Sequence, residues 1–235
     1  MISVCLAVHN GEKYIKPQLV SILKQLGKGD EVIISDDGST DNSKKLIESL
    51  NDYRINVYDF KQPLHQKHSN VYAAKNFENA LVHAGGDYIF LCDQDDIWYD
   101  TKVAKCMEYL QSYDLVQHNL MEVNNEMQPL SLHFKNGFRR HNYMVHGNSY
   151  HGCAMAFKRS VLNYALPFPD KLPLHDYWIG ILVESKGKVH YMDEPLVYYR
   201  VHGNNISLYN SNSLSFKIGH RLYIIYNLIL RLLTK

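Results

Sequence analysis

The stretch GDYIFLCDQDDIW, Gly86 to Trp98, decides the reading of this chain. An apolar run, Tyr88 to Cys92, leads straight into Asp93, Asp95 and Asp96, three carboxylates within four residues. A short apolar run of this kind reads as a buried strand. Like charges crowded at its end repel and raise one another's pKa, so a cationic partner is expected there.

The preceding sequence repeats the arrangement. ISVCLAV (Ile2 to Val8) is a second buried-strand signature, closed by the turn pair Asn10-Gly11. Ile15, Leu19, Ile22, Leu23 and Leu26 then recur at helical spacing, with Pro17 tolerable in a first turn and Gly27 and Gly29 as the stop. EVIIS (Glu31 to Ser35) is another strand, and it runs into Asp36-Asp37-Gly38-Ser39-Thr40-Asp41. Gly38 suits a tight turn, and Thr40 or Asp41 suits the cap of a following helix. RINVYDF reads as a strand, and NVYAAKNFENALVHAG as a helix capped by Asn70 and stopped by Gly85-Gly86.

Strand and helix therefore alternate from residue 2 to 93, which predicts an α/β fold: a Rossmann-like, mostly parallel sheet with helices on both faces. Such sheets bind ligands at the carboxyl ends of their strands. Both acidic clusters, Asp36-Asp37 and Asp93 to Asp96, fall at those ends.

The second half is more mixed. KVAKCMEYLQ reads as a helix, DLVQHNLMEV as a strand, residues 125 to 150 as loops, and CAMAFKR as a strand. HDYWIGILVESKGK reads as a helix with His175 and Asp176 in its first turn, followed by two short strands, KVHYMD and PLVYYRVH. From Leu214 to Leu233 an amphipathic helix is expected, with Leu214, Ile218, Leu222, Ile225, Ile229, Leu232 and Leu233 along one stripe. Lys217, Arg221, Arg231 and Lys235 add positive charge. A helix of this type can lie in a membrane interface or pack on protein, its own domain or a second copy, and packing is the expectation.

Composition narrows the classes. The formal net charge of +1 gives no electrostatic case for nucleic acid. The four cysteines, Cys5, Cys92, Cys106 and Cys153, form no CxxC pair, which argues against zinc and suits a reduced, cytoplasmic setting. No signal peptide is read at the N-terminus, and the longest apolar stretch, LYIIYNLIL, is too short to span a bilayer. The 18 tyrosines suit polar ligands such as sugars, though tyrosine also fills ordinary strands. No GxGxxG follows the first strand, and neither GxxxxGK[ST] nor GxSxG is present. Dinucleotide, P-loop and serine-hydrolase chemistry are thereby disfavoured.

The acids carry the chemistry. In the turn after a strand, Asp93 and Asp95 can ligate a hard divalent ion bridging a diphosphate, or serve as caps and solvated loop charges. Asp36 or Asp37 can accept a hydrogen bond from a nucleobase, or simply build a strand-to-helix turn. Asp176 can act as a general base, or as a carboxylate favoured by the helix dipole. His202 is a metal ligand, a phosphate contact, or one of 13 ordinary histidines.

In order along the chain, SVCLAVHNGEKYI, DEVIISDDGSTDNS, KNFENAL, GDYIFLCDQDDIW, GCAMAFKRSVL, LPFP, HDYWIGIL and DEPLVYYRVHGNN resemble the family 2 glycosyltransferases, which have the GT-A fold. The likeness runs over residues 2 to about 207. The DQDDIW, HDYW and YRVHGNN blocks are most similar to bacterial rhamnosyltransferase-type enzymes of surface polysaccharide synthesis.

The resemblance implies an inverting, Mg²⁺- or Mn²⁺-dependent transfer of a sugar, rhamnose among the candidates, from a UDP- or dTDP-linked donor. The acceptor would be a glycan or lipid-linked hydroxyl. It implies a single GT-A domain over 1–212, with a nucleotide-binding half (1–100) and an acceptor-binding half (101–212), and a C-terminal helix over 213–235. That helix would give peripheral contact with the inner face of the plasma membrane, or a homodimer.

The family's metal motif falls on Asp93 and Asp95, with Asp95 the direct ligand, Asp96 supporting the loop and His202 on the metal or diphosphate. Its nucleotide contacts fall on Ala7, His9, Asn10, Asp36, Asp37, Asn76 and Asp93. Its catalytic base falls on Asp176, and the acceptor side on His175 and Trp178. The chain departs from the pattern at His9 and Ala7, where relatives usually carry tyrosine and threonine, which bears on base preference and not on fold. Two rival classes are a nucleotide-sugar-binding protein without turnover and a metal-dependent phosphohydrolase. Product analysis separates the latter, because a transferase releases the nucleoside diphosphate.

Overall fold

The computed structural model describes residues 1–60, 69–131, 150–203 and 214–234. It opens with β1 (Ile2–Val8), α1 (Ile15–Leu23), β2 (Glu31–Asp36), α2 (Ser43–Glu48), β3 (Ile55–Asp59), α3 (Ser69–His83) and β4 (Tyr88–Cys92). The order in this half of the sheet is β3-β2-β1-β4, every pair parallel.

Side chains alternate faces along a strand, and here both faces are covered. Val4, Leu6 and Val8 of β1, Val32 and Ile34 of β2, and Phe90 and Cys92 of β4 enter one core with Ile15, Leu19 and Ile22 of α1. Cys5, Ile33, Ile89 and Leu91, from the same strands, enter the other with Phe77, Ala80 and Leu81 of α3. This two-sided burial explains why the strands read as continuous apolar runs.

Beyond β4 come β5 (Ile97–Trp98), α4 (Lys102–Leu110), β6 (Leu115–Val123), β7 (Pro129–Ser131), β8 (Met155–Lys158), α5 (Leu162–Ala165), α6 (His175–Lys186), β9 (Val189–Arg200) and α7 (Leu214–Thr234). The sheet continues β4-β8-β6-β9-β5, with β7 beside β6. Here β8 runs antiparallel to β4 and β6, while β6 and β9 are parallel.

Several expectations need correction. KVHYMD and PLVYYRVH do not form two strands; both belong to β9, whose register against β6 shifts near His118 and Asn119, opposite Met192 and Pro195. A proline without an N–H is tolerated at such an irregularity. The short strands β5 and β7 were not expected, and β7 lies in a stretch read as loop, of which 132–149 is outside the described residues. The N-cap of α2 is Asn42, neither Thr40 nor Asp41, although Asp41 Oδ1 accepts from the Ser43 amide at 2.9 Å. Asn70 lies within α3 and does not cap it.

The C-terminal helix α7 packs on the body, as expected, but through a different face. Ile224 is buried in the α3–α6 core, with Leu228 packed against it. Arg231 turns inward and donates to the carbonyls of Tyr164, Leu166 and Pro167. Ile218, Leu222, Ile229, Leu232 and Leu233 of the expected stripe remain exposed. The side chains of Leu214 and Lys217 lie outside the described residues. Among the described residues, no helix is long and apolar enough to cross a membrane.

Candidate active site

Three strand ends build the site. β1 runs into His9, Asn10 and Gly11; β2 runs into Asp36 and Asp37; β4 runs into the Asp93–Asp96 turn. Asn10 adopts φ 50, a left-handed conformation that asparagine tolerates better than most residues. Its Oδ1 accepts from the Thr40 amide at 2.9 Å, and its own amide donates to Ser39 Oγ at 2.9 Å, which ties the β1 and β2 loops together.

The two adjacent acids after β2 are separated by the pleat. Asp36 is fully buried; its Oδ2 accepts from the Ser39 amide at 3.0 Å and lies 3.3 Å from Lys44 Nζ. It builds the turn and offers no surface to a nucleotide, which corrects the reading of Asp36 as a contact. Asp37 is the solvent-reaching member, and His9 Nδ1 donates to its carbonyl at 2.7 Å. Asn76, also expected at the nucleotide, is buried too: its Nδ2 donates to the Val8 carbonyl at 3.3 Å, holding the end of β1 from below. Ala7 is half-buried and packs against the α3-side core.

In the acidic turn, Asp95 Oδ2 accepts from His202 Nε2 at 2.8 Å, bringing together two residues 107 apart. The His202 ring stacks on Tyr14, with centroids 4.9 Å apart. Arg200 binds the turn from behind: its amide donates to Asp96 Oδ1 at 3.1 Å and its Nε to the Asp95 carbonyl at 2.9 Å. Asp96 itself is buried, with that Arg200 amide on its Oδ1. Neither Arg200 nor Tyr14 was assigned a role from sequence; both stand inside quoted blocks, but nothing in their spacing shows what they bind.

Asp93, Asp96 and Cys153 place ligand-type atoms within 4.8 Å of one another. Burial first, then the charges of Asp95 and Asp176, push the Asp93 carboxyl up to about 7. Burial first, then the charges of Asp95 and Asp93, push the Asp96 carboxyl well up as well. Below them, fully buried Lys102 donates to the Cys153 carbonyl at 2.5 Å and sits 4.1 Å over the Trp98 ring.

The donor set fits a hard divalent ion. Several carboxylates face one another, and buried Asp96 Oδ2 has no hydrogen-bond partner among the described residues. The Cys153 thiol is driven upward by burial and by Asp96 and Asp93, so it stays protonated and is a poor ligand. Asp93, Asp95 and His202 are the side chains that could hold such an ion at the open side.

Asp176 lies in the first turn of α6, and its Oδ1 accepts from the Tyr177 amide at 2.7 Å. It approaches the acidic turn through Gly152: a Cβ there would stand 3.8 Å from Asp176 Cβ and 3.0 Å from His175 Nε2. Cys153 follows directly. Asp176 is thereby near enough to the acidic turn for its charge to help raise the Asp93 carboxyl.

The two residues placed on the acceptor side turn inward. Trp178 is fully buried, and its Nε1 donates to the Ala165 carbonyl at 3.0 Å, which leaves it no surface for an acceptor. The His175 ring stacks on Phe77, centroids 4.1 Å apart, and burial holds its pKa down at about 3. The helical spacing that puts Asp176 outward turns its neighbours toward the core.

A doubly covered parallel sheet with acids gathered at its strand ends, continued by an antiparallel half, defines a GT-A-type α/β domain. The chain belongs to glycosyl transferase family 2, whose profile matches residues 3–165.

Among curated relatives, an uncharacterised glycosyltransferase of Nostoc sp. is 27% identical over 87% of this chain and 66% of its own length. The dTDP-rhamnosyl transferase RfbG of Shigella flexneri is 26% identical over 85% of this chain and 72% of its own. The Escherichia coli enzyme WfaP, a UDP-Glc:α-D-GlcNAc-diphosphoundecaprenol β-1,3-glucosyltransferase, is 26% identical over 96% and 91%.

Among solved structures, S. aureus TarS 1–349 in complex with UDP-GlcNAc superposes with a TM-score of 0.73 at 18% identity, covering 99% of this chain and 66% of that one. The mannosyltransferase PcManGT of Pyrobaculum calidifontis, in complex with GDP-Man and Mn²⁺, gives 0.64 at 16% identity, covering 88% and 59%. At these identities the structures establish the shared fold.

Proposed function

We propose that the chain transfers a sugar, with inversion, from a nucleoside diphosphate donor to a hydroxyl of a glycan or lipid-linked acceptor in bacterial surface polysaccharide synthesis. What supports this reading most is that Asp176 lies near enough to the Asp93–Asp96 turn for its charge to act on Asp93, while His9 links the neighbouring loop to the Asp37 carbonyl. Asp176 removes the proton of the acceptor hydroxyl as its oxygen bonds to C1 of the sugar. The C1–O bond to the diphosphate breaks, and its electron pair leaves with the nucleotide. Attack opposite the leaving group inverts the anomeric centre, and no covalent enzyme intermediate is needed.

Asp93, Asp95 and His202 would hold Mg²⁺ or Mn²⁺, which when bound neutralises charge developing on the departing diphosphate. Asp37 takes the nucleobase, with His9 and Asn10 shaping that edge of the pocket. The likeness to RfbG makes dTDP-rhamnose a candidate donor, and the likeness to WfaP adds UDP-glucose and a lipid-linked acceptor. A thermal-shift panel of UDP- and dTDP-sugars with Mn²⁺, followed by product analysis, tests the reading. Stabilisation by one donor and release of the nucleoside diphosphate are expected; release of free phosphate or sugar phosphate would overturn it.

The outward face of α7 serves the acceptor on this reading. From Leu214 to Lys235 the chain carries four lysines and arginines and no acidic residue, and the apolar side chains beside them are exposed. This combination fits an anionic bilayer surface, at the cytoplasmic face. The pair Leu222→Glu and Ile229→Glu, which leaves the Ile224 side intact, should abolish co-flotation with phosphatidylglycerol vesicles. Undiminished flotation of the folded variant would refute the contact.

A further inference from the structure

Gln94, the residue between Asp93 and Asp95, uses its amide in a way the acidic motif does not suggest. Its Oε1 accepts from the His9 backbone N–H at 3.0 Å, and its Nε2 donates to the His9 carbonyl at 3.1 Å. One side chain therefore satisfies both backbone groups of a single residue, as a neighbouring strand would. The backbone ladder between β1 and β4 ends at the pair Leu6 and Cys92. Past that point the two chains diverge, and the Gln94 amide replaces the missing rung.

The contact depends on an absent side chain. A Cβ at Gly11 would stand 2.6 Å from Gln94 Oε1, so only glycine lets the amide lie there unshifted. On its other side His9 reaches the Asp37 carbonyl through Nδ1 at 2.7 Å, and the Asp37 amide donates to the Val8 carbonyl at 2.8 Å. An unbroken line of polar contacts thus runs from the Asp93–Asp95 turn through His9 to Asp37.

We propose that Gln94 is a positioning residue that locks the metal-bearing turn to the base-side loop, so that the two ends of a nucleoside diphosphate meet a single preorganised surface. This rests on the functional reading above, which places the diphosphate at Asp95 and the base at Asp37. The geometry requires an amide. A carboxylate would set oxygen against the His9 carbonyl, and a thioether would leave both backbone groups without this partner.

The experiment is calorimetric titration with UDP and dTDP at saturating Mn²⁺, on wild type, Gln94→Glu, Gln94→Met, Gly11→Ala and the double variant Gly11→Ala/Gln94→Met. All are measured well below their melting temperatures. A residue that only stabilises the fold would lower those temperatures and leave the Kd of the folded chain alone. Each single variant is expected to raise the Kd by about tenfold, in keeping with the loss of two hydrogen bonds. The double variant should match Gln94→Met, because both changes remove the same contact.

Folded variants that bind within about twofold of wild type, or a double variant whose effect is the product of the singles, would overturn the inference and leave the transferase reading standing. Should Gln94→Glu fail to fold by circular dichroism, Gly11→Ala decides the matter. A wild type that binds neither nucleotide overturns the functional reading, and this inference with it.

Discussion

Asp176→Asn is expected to lower sugar transfer by about a hundred- to ten-thousandfold, the usual span for loss of a general base, while nucleotide binding survives. Asparagine keeps an oxygen where Asp176 Oδ1 accepts the Tyr177 amide, so the start of α6 and its approach to Gly152 persist. What disappears is the basicity, since an amide cannot take the acceptor proton near neutral pH. A second consequence follows from charge. Asp176 is one of the groups that push the Asp93 carboxyl up to about 7, so removing it eases ionisation of Asp93. Metal-dependent nucleotide affinity should then be unchanged or slightly tighter. Calorimetry beside a turnover assay makes the comparison; near-normal turnover would end the base assignment.

Asp95→Ala should act on the opposite step. Outer-sphere partners of a metal commonly contribute about 10–100-fold in affinity, so a direct ligand should cost at least about a hundredfold in Mn²⁺-dependent nucleotide binding. The yardstick is wild type in EDTA, whose affinity the variant should approach even in excess Mn²⁺. The metal-free fold should tolerate the change. After burial, the Asp95 charge is the leading cause raising both Asp93 and Asp96, so its removal relieves repulsion in the turn. The Arg200 bond to the Asp95 carbonyl is a backbone contact and survives the substitution. Unchanged nucleotide affinity in excess metal would count against Asp95 as a ligand.

The two predictions separate the halves of the cleft. One variant binds and does not turn over; the other fails to bind the metal-loaded nucleotide. A binding protein without catalysis would show no difference between Asp176→Asn and wild type in any assay.

Much of the fold was legible because burial imposes simple periods. Strands covered on both faces read as apolar runs, and the acids had to follow them at the carboxyl ends, where helices leave an opening. The placement of Asp37, Asp93, Asp95 and Asp176 at strand and helix ends is of this kind. Harder to see was the unity of β9, because Asp193-Glu194-Pro195 looks like a break until β6 is beside it to absorb the register shift. The outward stripe of α7 misled for a related reason: the helix has a second, smaller apolar edge at Ile224 and Leu228, and the core chose that edge.

The sequence by itself determined the alternation of strands and helices, the two-sided core and the end of the sheet at which the carboxylates gather, since each follows from side-chain period and turn chemistry along one segment. Only the tertiary structure decided which acids are buried and which reach solvent. It turned Asp36, Asn76 and Trp178 inward, set His202 on Asp95, and used Gln94 to hold His9. Those outcomes depend on partners from distant segments, such as Arg200 on the Asp95 carbonyl 105 residues away, and spacing within one segment carries no record of what will pack against it.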